Sequence, residues 1–233
     1  MLDDKKVIIF DMDGTLIDSV GIWNEVDVTL IQRLCAGKQP LSMKVQEERD
    51  HILRKFSRSA SPYMDYCAYL KKTYASSLSA GEIHSLRYEI AQDYLINIID
   101  YKENADIFIR KLKAAGYILV IATTTRRNNM DIYRTQNLNI INKANIDDYF
   151  SLIYTREDAK KIKPDPEIYL RVMNELGVPA QKCLVFEDSL IGIEAAKNAG
   201  IESVAVYDKY SDAERDQINT LSDYQIDTYS QLL

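Results

Sequence analysis

The 233-residue chain has few cysteines, no block of basic residues, no membrane-length apolar run and no internal repeat. Cys35, Cys67 and Cys183 are widely spaced and odd in number, which argues against a disulfide framework. Reduced thiols in or near a core fit a cytosolic protein, so a cytoplasmic location is expected. A formal net charge of -6, with no zinc-finger spacing, gives nucleic-acid binding little support. A small anionic substrate would need a local positive pocket rather than a global field. No apolar stretch approaches the length that spans a bilayer, so no membrane association is expected. The N-terminal MLDDKKVIIF places acids before its lysines and has too short an apolar run for a signal peptide.

What is present is an ordinary globular composition, 46% hydrophobic, in a chain long enough for one large domain or two modest ones. The apolar pattern divides it. VIIF, residues 7–10, reads as a buried strand. Residues from about 20 to 99 read as helical throughout. Trp23, Val26, Leu30, Ile31 and Leu34 recur at helical spacing, as do Tyr63, Tyr66, Cys67, Leu70 and Tyr74, then Ile83, Leu86, Ile90, Tyr94 and Ile98. Ser61–Pro62 has the form of an N-cap with proline at the first helical position, and Ser79 with Glu82 has capping-box spacing. These stripes read as core.

From residue 100 helices and strands alternate. ENADIFIRKLKAA ends at Gly116, YILVIA (117–122) reads as a strand, and LIY (152–154) as a shorter one. Asp165, Pro166 and Gly177 frame a further helix. CLVF (183–186), the helix SLIGIEAAKNAG, SVAVY (203–207) and a short strand near Tyr224–Ile226 complete the series. The alternation predicts a Rossmann-like parallel sheet with helices on both faces. Residues 1–18 and 98–233 are expected to form this α/β core, and 19–97 an all-helical module inserted after the first strand. The insertion leaves from the strand's carboxyl end, where open α/β sheets bind ligands.

Polar groups gather where apolar runs stop. Asp11 and Asp13 follow VIIF, Thr123 follows YILVIA, Glu187 and Asp188 follow CLVF, and Lys163 sits in KIKPDPEIY. Taken singly, each has a plain reading. Asp13–Gly14 suits a turn, Ser189 suits a helix cap, Thr123, Thr124 and Thr125 suit a strand end, and most lysines are solvated. Together they are more specific. Carboxylates from two strands suit a hard cation such as Mg2+, which bridges to phosphate oxygens. A lysine and a hydroxyl suit the remaining phosphate charge. One carboxylate is then free to attack phosphorus, and a second to move protons.

DMDGTLID, a strand ending in threonine, KPDPEIY and FEDSLIGIEAAKNAG, in this order, resemble the four motifs of the haloacid dehalogenase superfamily, and the insertion resembles the cap of its β-phosphoglucomutase-like phosphatase branch. The resemblance implies Asp11 as nucleophile and magnesium ligand. It implies Asp13 as general acid and base, its carbonyl on the metal. Thr123 would bond the phosphoryl group, Lys163 would offset charge, and Asp188 would bind magnesium with Glu187 assisting. The N–H groups of Met12 and Thr124 would reach phosphate oxygens. The expected reaction is Mg2+-dependent hydrolysis of a small phosphorylated metabolite, sugar phosphate-like, through an aspartyl-phosphate, by a monomer. An acid at Asp13 sets the chain apart from the dehalogenases and phosphonate-cleaving relatives.

A phosphomutase of this branch would carry a histidine early in the cap. Residues 20–35 hold none, Trp23 stands near that place, and the two histidines are His51 and His84. The alternatives are therefore a phosphomutase and, from a different class, a non-catalytic sugar-phosphate-binding regulator. Arg54, Lys55 and Arg58 form a cationic cluster, with Arg126 and Arg127 better placed by position; a solvated face is the simpler reading of the cluster. YKENADIF (101–108) lacks the proline–glycine pair common where related chains re-enter the core.

Overall fold

The structure is a computed structural model describing residues 1–35, 45–56 and 61–233. Arg58 and the side chain of Arg54 lie outside the described residues. The chain forms two compact units, Met1–Val20 with Ile96–Leu233, and Gly21–Leu95. In chain order the elements begin with β1 (Val7–Phe10), α1 (Ile22–Leu34), α2 (Val45–Lys55), α3 (Pro62–Thr73) and α4 (Ala80–Asn97). There follow α5 (Ala105–Ala114), β2 (Ile118–Ala122), α6 (Arg127–Thr135), α7 (Leu138–Ala144), α8 (Ile146–Tyr149) and β3 (Leu152–Tyr154). The series ends with α9 (Glu167–Leu176), β4 (Cys183–Glu187), α10 (Leu190–Asn198), β5 (Glu202–Val206), α11 (Arg215–Leu221) and β6 (Tyr224–Ile226).

The first unit is built on one six-stranded sheet in the order β3-β2-β1-β4-β5-β6, every pair parallel. A parallel sheet is covered on both faces, so its inner strands have no polar side. VIIF is fully buried along its whole length for this reason. The two faces alternate along β1. Val7 and Ile9 join a cluster with Tyr169 and Val172 of α9 and Ala195 and Ala196 of α10. Phe10 faces the opposite way, stacked on Phe186 at 4.9 Å and edge-on to Phe108 of α5 at 6.4 Å. Burying one such ring contributes roughly 1.5–3 kcal/mol; Phe10→Ala, which also opens a cavity, would cost about 3–5 kcal/mol.

Strand order reverses at β1, since the chain goes first to β2 on one side and later to β4 on the other. Phe10 pairs with Ile121 and with Phe186, so the carboxyl ends of the three central strands come level. The outgoing and returning chains run side by side there: Ile17 bridges Tyr101 antiparallel, and the Lys102 N–H donates to the Leu16 carbonyl at 2.8 Å. That ladder stands in YKENADIF, the re-entry segment that lacks a proline–glycine pair. Gly116, Gly177 and Gly200 follow α5, α9 and α10 with positive φ, as the helix ends predict. The helix at Pro166 begins one residue later than expected, with Asp165 accepting from the Glu167 N–H at 3.0 Å.

The second unit packs α1–α4 around Val26, Leu30, Ile31, Tyr66, Cys67, Leu70, Ile83 and Ile90. The capping box forms as expected, with the Glu82 N–H on Ser79 Oγ at 3.2 Å and the Ser79 N–H on Glu82 Oε2 at 2.7 Å. Three residues of the expected apolar stripes are not core: Trp23, Tyr63 and Ile98 are exposed. Ile98 lies beyond the end of α4. Trp23 and Tyr63 instead place their rings 5.5 and 4.9 Å from the Arg87 guanidinium, where a ring face attracts a cation. Arg87 is fixed in turn by fully buried Asp27, through Nε at 2.7 Å and Nη2 at 3.2 Å, and Arg49 Nη1 reaches the same carboxylate at 3.0 Å.

Candidate active site

Asp11 is the first residue past β1, Thr123 the first past β2, and Glu187 and Asp188 end and follow β4. The level strand ends therefore bring them to one edge. Lys163 arrives from the segment before α9 and is 4% exposed. Its ammonium donates to Asp11 Oδ1 at 2.6 Å, Glu187 Oε1 at 2.5 Å and the Ala122 carbonyl at 2.9 Å, which uses all three of its protons.

Glu187 is fully buried and fully engaged. Oε1 also accepts the Tyr169 hydroxyl at 3.1 Å, while Oε2 accepts the N–H groups of Asp188 and Ser189 and the Ser189 hydroxyl. Ser189 Oγ in turn accepts from the Gly192 N–H and caps α10. Gly192 leaves room for this: a Cβ there would lie 1.9 Å from Glu187 Cδ. Asp188 is held by the Thr15 hydroxyl, which donates to Oδ1 at 2.9 Å.

The glycine of DMDGT has two reasons. Its φ of 79° lies in the left-handed region that favours glycine. A Cβ on Gly14 would also stand 2.4 Å from Asp188 Oδ2. Gly14 thus lets the loop turn and lets the Asp188 carboxylate approach the backbone.

Asp13 sits in a different environment. It is partly buried, and three hydroxyls surround its carboxylate. Ser19 Oγ donates to Oδ1 at 2.5 Å, Thr125 Oγ1 donates to Oδ2, and the Tyr133 hydroxyl stands 3.5 Å from Oδ1. Thr125 also joins Thr123, their Oγ1 atoms 2.9 Å apart. Hydroxyls both donate and accept, so this ring fixes the carboxyl's direction and accommodates either protonation state. Lys163, by contrast, holds Asp11 with a fixed positive charge. The two neighbouring aspartates are separated by the kind of partner each has.

The charges do not balance locally. Asp11, Glu187 and Asp188 offer carboxylate oxygens within 4.8 Å of one another, all buried, against the single charge of Lys163. Burial, with the neighbouring Glu187 and Asp13, pushes Asp11 up to about 7 in spite of Lys163. Burial, then Glu187 and Asp11, raises Asp188 well above the usual carboxylate range. For Lys163 burial works against the charge, but Asp11 and Glu187 outweigh it and keep the ammonium protonated. A divalent cation fits the surplus negative charge, and Asp11 and Asp188 have oxygens turned to the same place.

The structure brings Asp11, Asp13, Thr123, Lys163, Glu187 and Asp188 together at one sheet edge. Met12 is buried and Thr124 exposed, and neither N–H has a protein acceptor among the described residues. Arg127 is committed to Asp158 at 2.6 Å, and Arg126 is exposed. The two histidines are exposed in the second unit. Thr15, Ser19, Tyr133 and Tyr169 carried no expected role, and Thr125 only that of a strand-end threonine. Thr125 was within reach, since it stands two residues past Thr123 in the same run of threonines, and a bend there brings its N–H and hydroxyl to Thr123 Oγ1. Tyr133 was not, because nothing in its segment announced a helix.

Comparison with known proteins identifies the family. The family model described as haloacid dehalogenase-like hydrolase matches residues 5–200. The protein CbbY of Rhodobacter capsulatus is 26% identical over 225 residues, covering 89% of this chain and 88% of that one. A phosphorylated carbohydrates phosphatase of Thermotoga maritima is 27% identical over 201 residues, covering 85% and 83%. A CbbY variant from Rhodobacter sphaeroides, solved in complex with xylulose-(1,5)bisphosphate, shares the fold with a TM-score of 0.66 at 22% identity, covering 98% of this chain and 96% of that one.

Proposed function

The chain belongs to the haloacid dehalogenase-like hydrolases, and from that premise we propose that it is a Mg2+-dependent phosphatase of small phosphorylated carbohydrates. The observation that carries this reading is the unlike pairing of two adjacent aspartates, Asp11 on Lys163 and Asp13 within hydroxyls. A nucleophile must stay charged, which Lys163 and a bound cation together would ensure at Asp11, and a proton carrier must change state. Asp11, Asp188 and the Asp13 carbonyl would hold the ion, with Glu187 holding Lys163 and the start of α10 beside them. Bound magnesium supplies neutralising charge to the phosphoryl oxygens.

In the first step an Asp11 oxygen attacks phosphorus, the bond from phosphorus to the ester oxygen breaks, and Asp13 gives its proton to the departing alkoxide. In the second, Asp13 takes a proton from water as the water oxygen attacks phosphorus. The bond to Asp11 breaks, and inorganic phosphate leaves. Thr123 Oγ1 and the Met12 and Thr124 N–H groups orient the phosphoryl oxygens, and Lys163 offsets charge along the path.

The carbohydrate class is supported by the relatives' names, a phosphorylated carbohydrates phosphatase and a CbbY with a bound sugar bisphosphate. The test is phosphate release from a panel of small phosphomonoesters with and without Mg2+, with Asp11→Asn as control. Metal-dependent release that the variant loses is expected. Undiminished release by the variant would overturn the mechanism. Transfer between two positions of one sugar, faster than phosphate release, would establish a mutase instead.

A further inference from the structure

Helix α6 turns Met130, Ile132 and Tyr133 inward, and all three are buried. Two of them are simple core residues. The third carries a hydroxyl into the same interior, at 1% exposure, and burying a hydroxyl without a partner is unfavourable. Phenylalanine would fill the same space without that cost. Among the described residues the hydroxyl has one hydrogen-bond partner, Asp13 Oδ1 at 3.5 Å. That distance is at the outer limit for such a bond. Ser19 holds the same oxygen at 2.5 Å.

The crowding has a consequence for proton transfer. Asp13 has two oxygens, and the one that serves the substrate must exchange a present partner for the ester or water oxygen. Oδ2 faces Thr125, which joins Thr123 at the place proposed for the phosphoryl group. Oδ1 is instead held by Ser19 and Tyr133. Ser19 lies on the loop leaving the first unit, whereas Tyr133 is fixed within a packed helix of that unit.

We propose that Tyr133 is a positioning residue, anchoring Asp13 Oδ1 so that Oδ2 is presented to the leaving-group oxygen. This rests on the phosphatase reading above, in which Asp13 gives its proton to the alkoxide as the bond from phosphorus to the ester oxygen breaks. A leaving group that needs no proton should not depend on the anchor.

Tyr133→Phe tests this with two substrates. An alkyl ester such as glycerol phosphate requires protonation of its leaving oxygen, while p-nitrophenyl phosphate departs as a stable phenolate. Because kcat/KM reports steps only through the first departure, the water-attack step does not blur the comparison. Tyr133→Phe should lower kcat/KM for the alkyl ester by about 10-fold, within the range of general acid catalysis, and for the aryl ester by about 2-fold or less. KM for the alkyl ester should hold nearly constant. Ser19→Ala, which removes the other donor to Oδ1, should shift the alkyl-to-aryl ratio in the same direction. Equal losses on both esters would reduce Tyr133 to a packing role and overturn the proposal, as would an unchanged ratio in a folded variant. Wild-type protein that releases phosphate from neither ester nor any member of the phosphomonoester panel would overturn the phosphatase reading itself, and the proposal with it.

Discussion

Gly14→Ala puts the smallest possible side chain into the most constrained point of the site. Its φ of 79° disfavours any residue with a Cβ, which costs roughly 1–2 kcal/mol. The new methyl would also meet Asp188 Oδ2 at 2.4 Å, Asp188 Cγ at 2.7 Å and Val20 Cγ2 at 2.8 Å. Asp188 has little room to withdraw, being 5% exposed and tied to Thr15 at 2.9 Å. Such overpacking adds about 1–3 kcal/mol, for a total of about 2–5 kcal/mol. At a slope of about 2.5 kcal/mol per molar urea, the midpoint by far-UV circular dichroism should fall by roughly 1–2 M. Whatever relief is found displaces a proposed metal ligand, so the Mg2+ concentration for half-maximal phosphate release should rise about 10- to 100-fold. Thr15→Val is the control: it loses one hydrogen bond, about 1 kcal/mol, without the clash. A Gly14→Ala protein with unchanged midpoint and unchanged Mg2+ dependence would refute the reasoning.

Two further predictions address other parts of the molecule. Asp27→Ala removes the carboxylate shared by Arg49 and Arg87, whose side chains are each 11% exposed. It should destabilise the Gly21–Leu95 unit by about 3–5 kcal/mol, read by fluorescence of Trp23, the chain's single tryptophan; an unchanged midpoint would contradict this. At Asp158 burial opposes the charge, but the Thr155 N–H and hydroxyl and the Arg127 guanidinium outweigh it and hold the carboxyl below its ordinary 3.8. With the folded value depressed, its stabilisation is fully present above 3.8 and is lost as pH falls through the folded value. Asp158→Asn, which makes those hydrogen bonds neutral and removes the Arg127 ion pair, should therefore lower stability by about 1 kcal/mol at neutral pH. The gap to wild type should close as pH drops below that value, whereas a gap that persists or widens in acid would count against the assignment.

The sheet and the gathering of polar residues at its edge were legible because both rest on local signals. VIIF, YILVIA and CLVF are apolar on both faces, as strands between two helical layers must be, and each stops at a polar group. Level strand ends then bring those groups together. Residues 127–149 were silent: the segment is rich in asparagine, a weak helix former, and its helices α6, α7 and α8 are short. Two of these helices begin at Asn137 and Asn145, whose side chains accept from Ile140 and Asp147 N–H groups. Tertiary packing, rather than propensity, fixes such segments, so Tyr133 could not be placed. Trp23 and Tyr63 fit a helical stripe equally well as core or as stacking partners of a cation, and only Arg87 decides between the two.

The central claim is that Asp11 becomes phosphorylated, and it is tested most directly by acid-quenching the enzyme during turnover and mapping phosphate by mass spectrometry after borohydride reduction. The account predicts modification of the peptide containing Asp11, dependent on Mg2+ and absent from Asp11→Asn. Steady phosphate release with no modified Asp11 at any quench time, or release that survives Asp11→Asn, would contradict it.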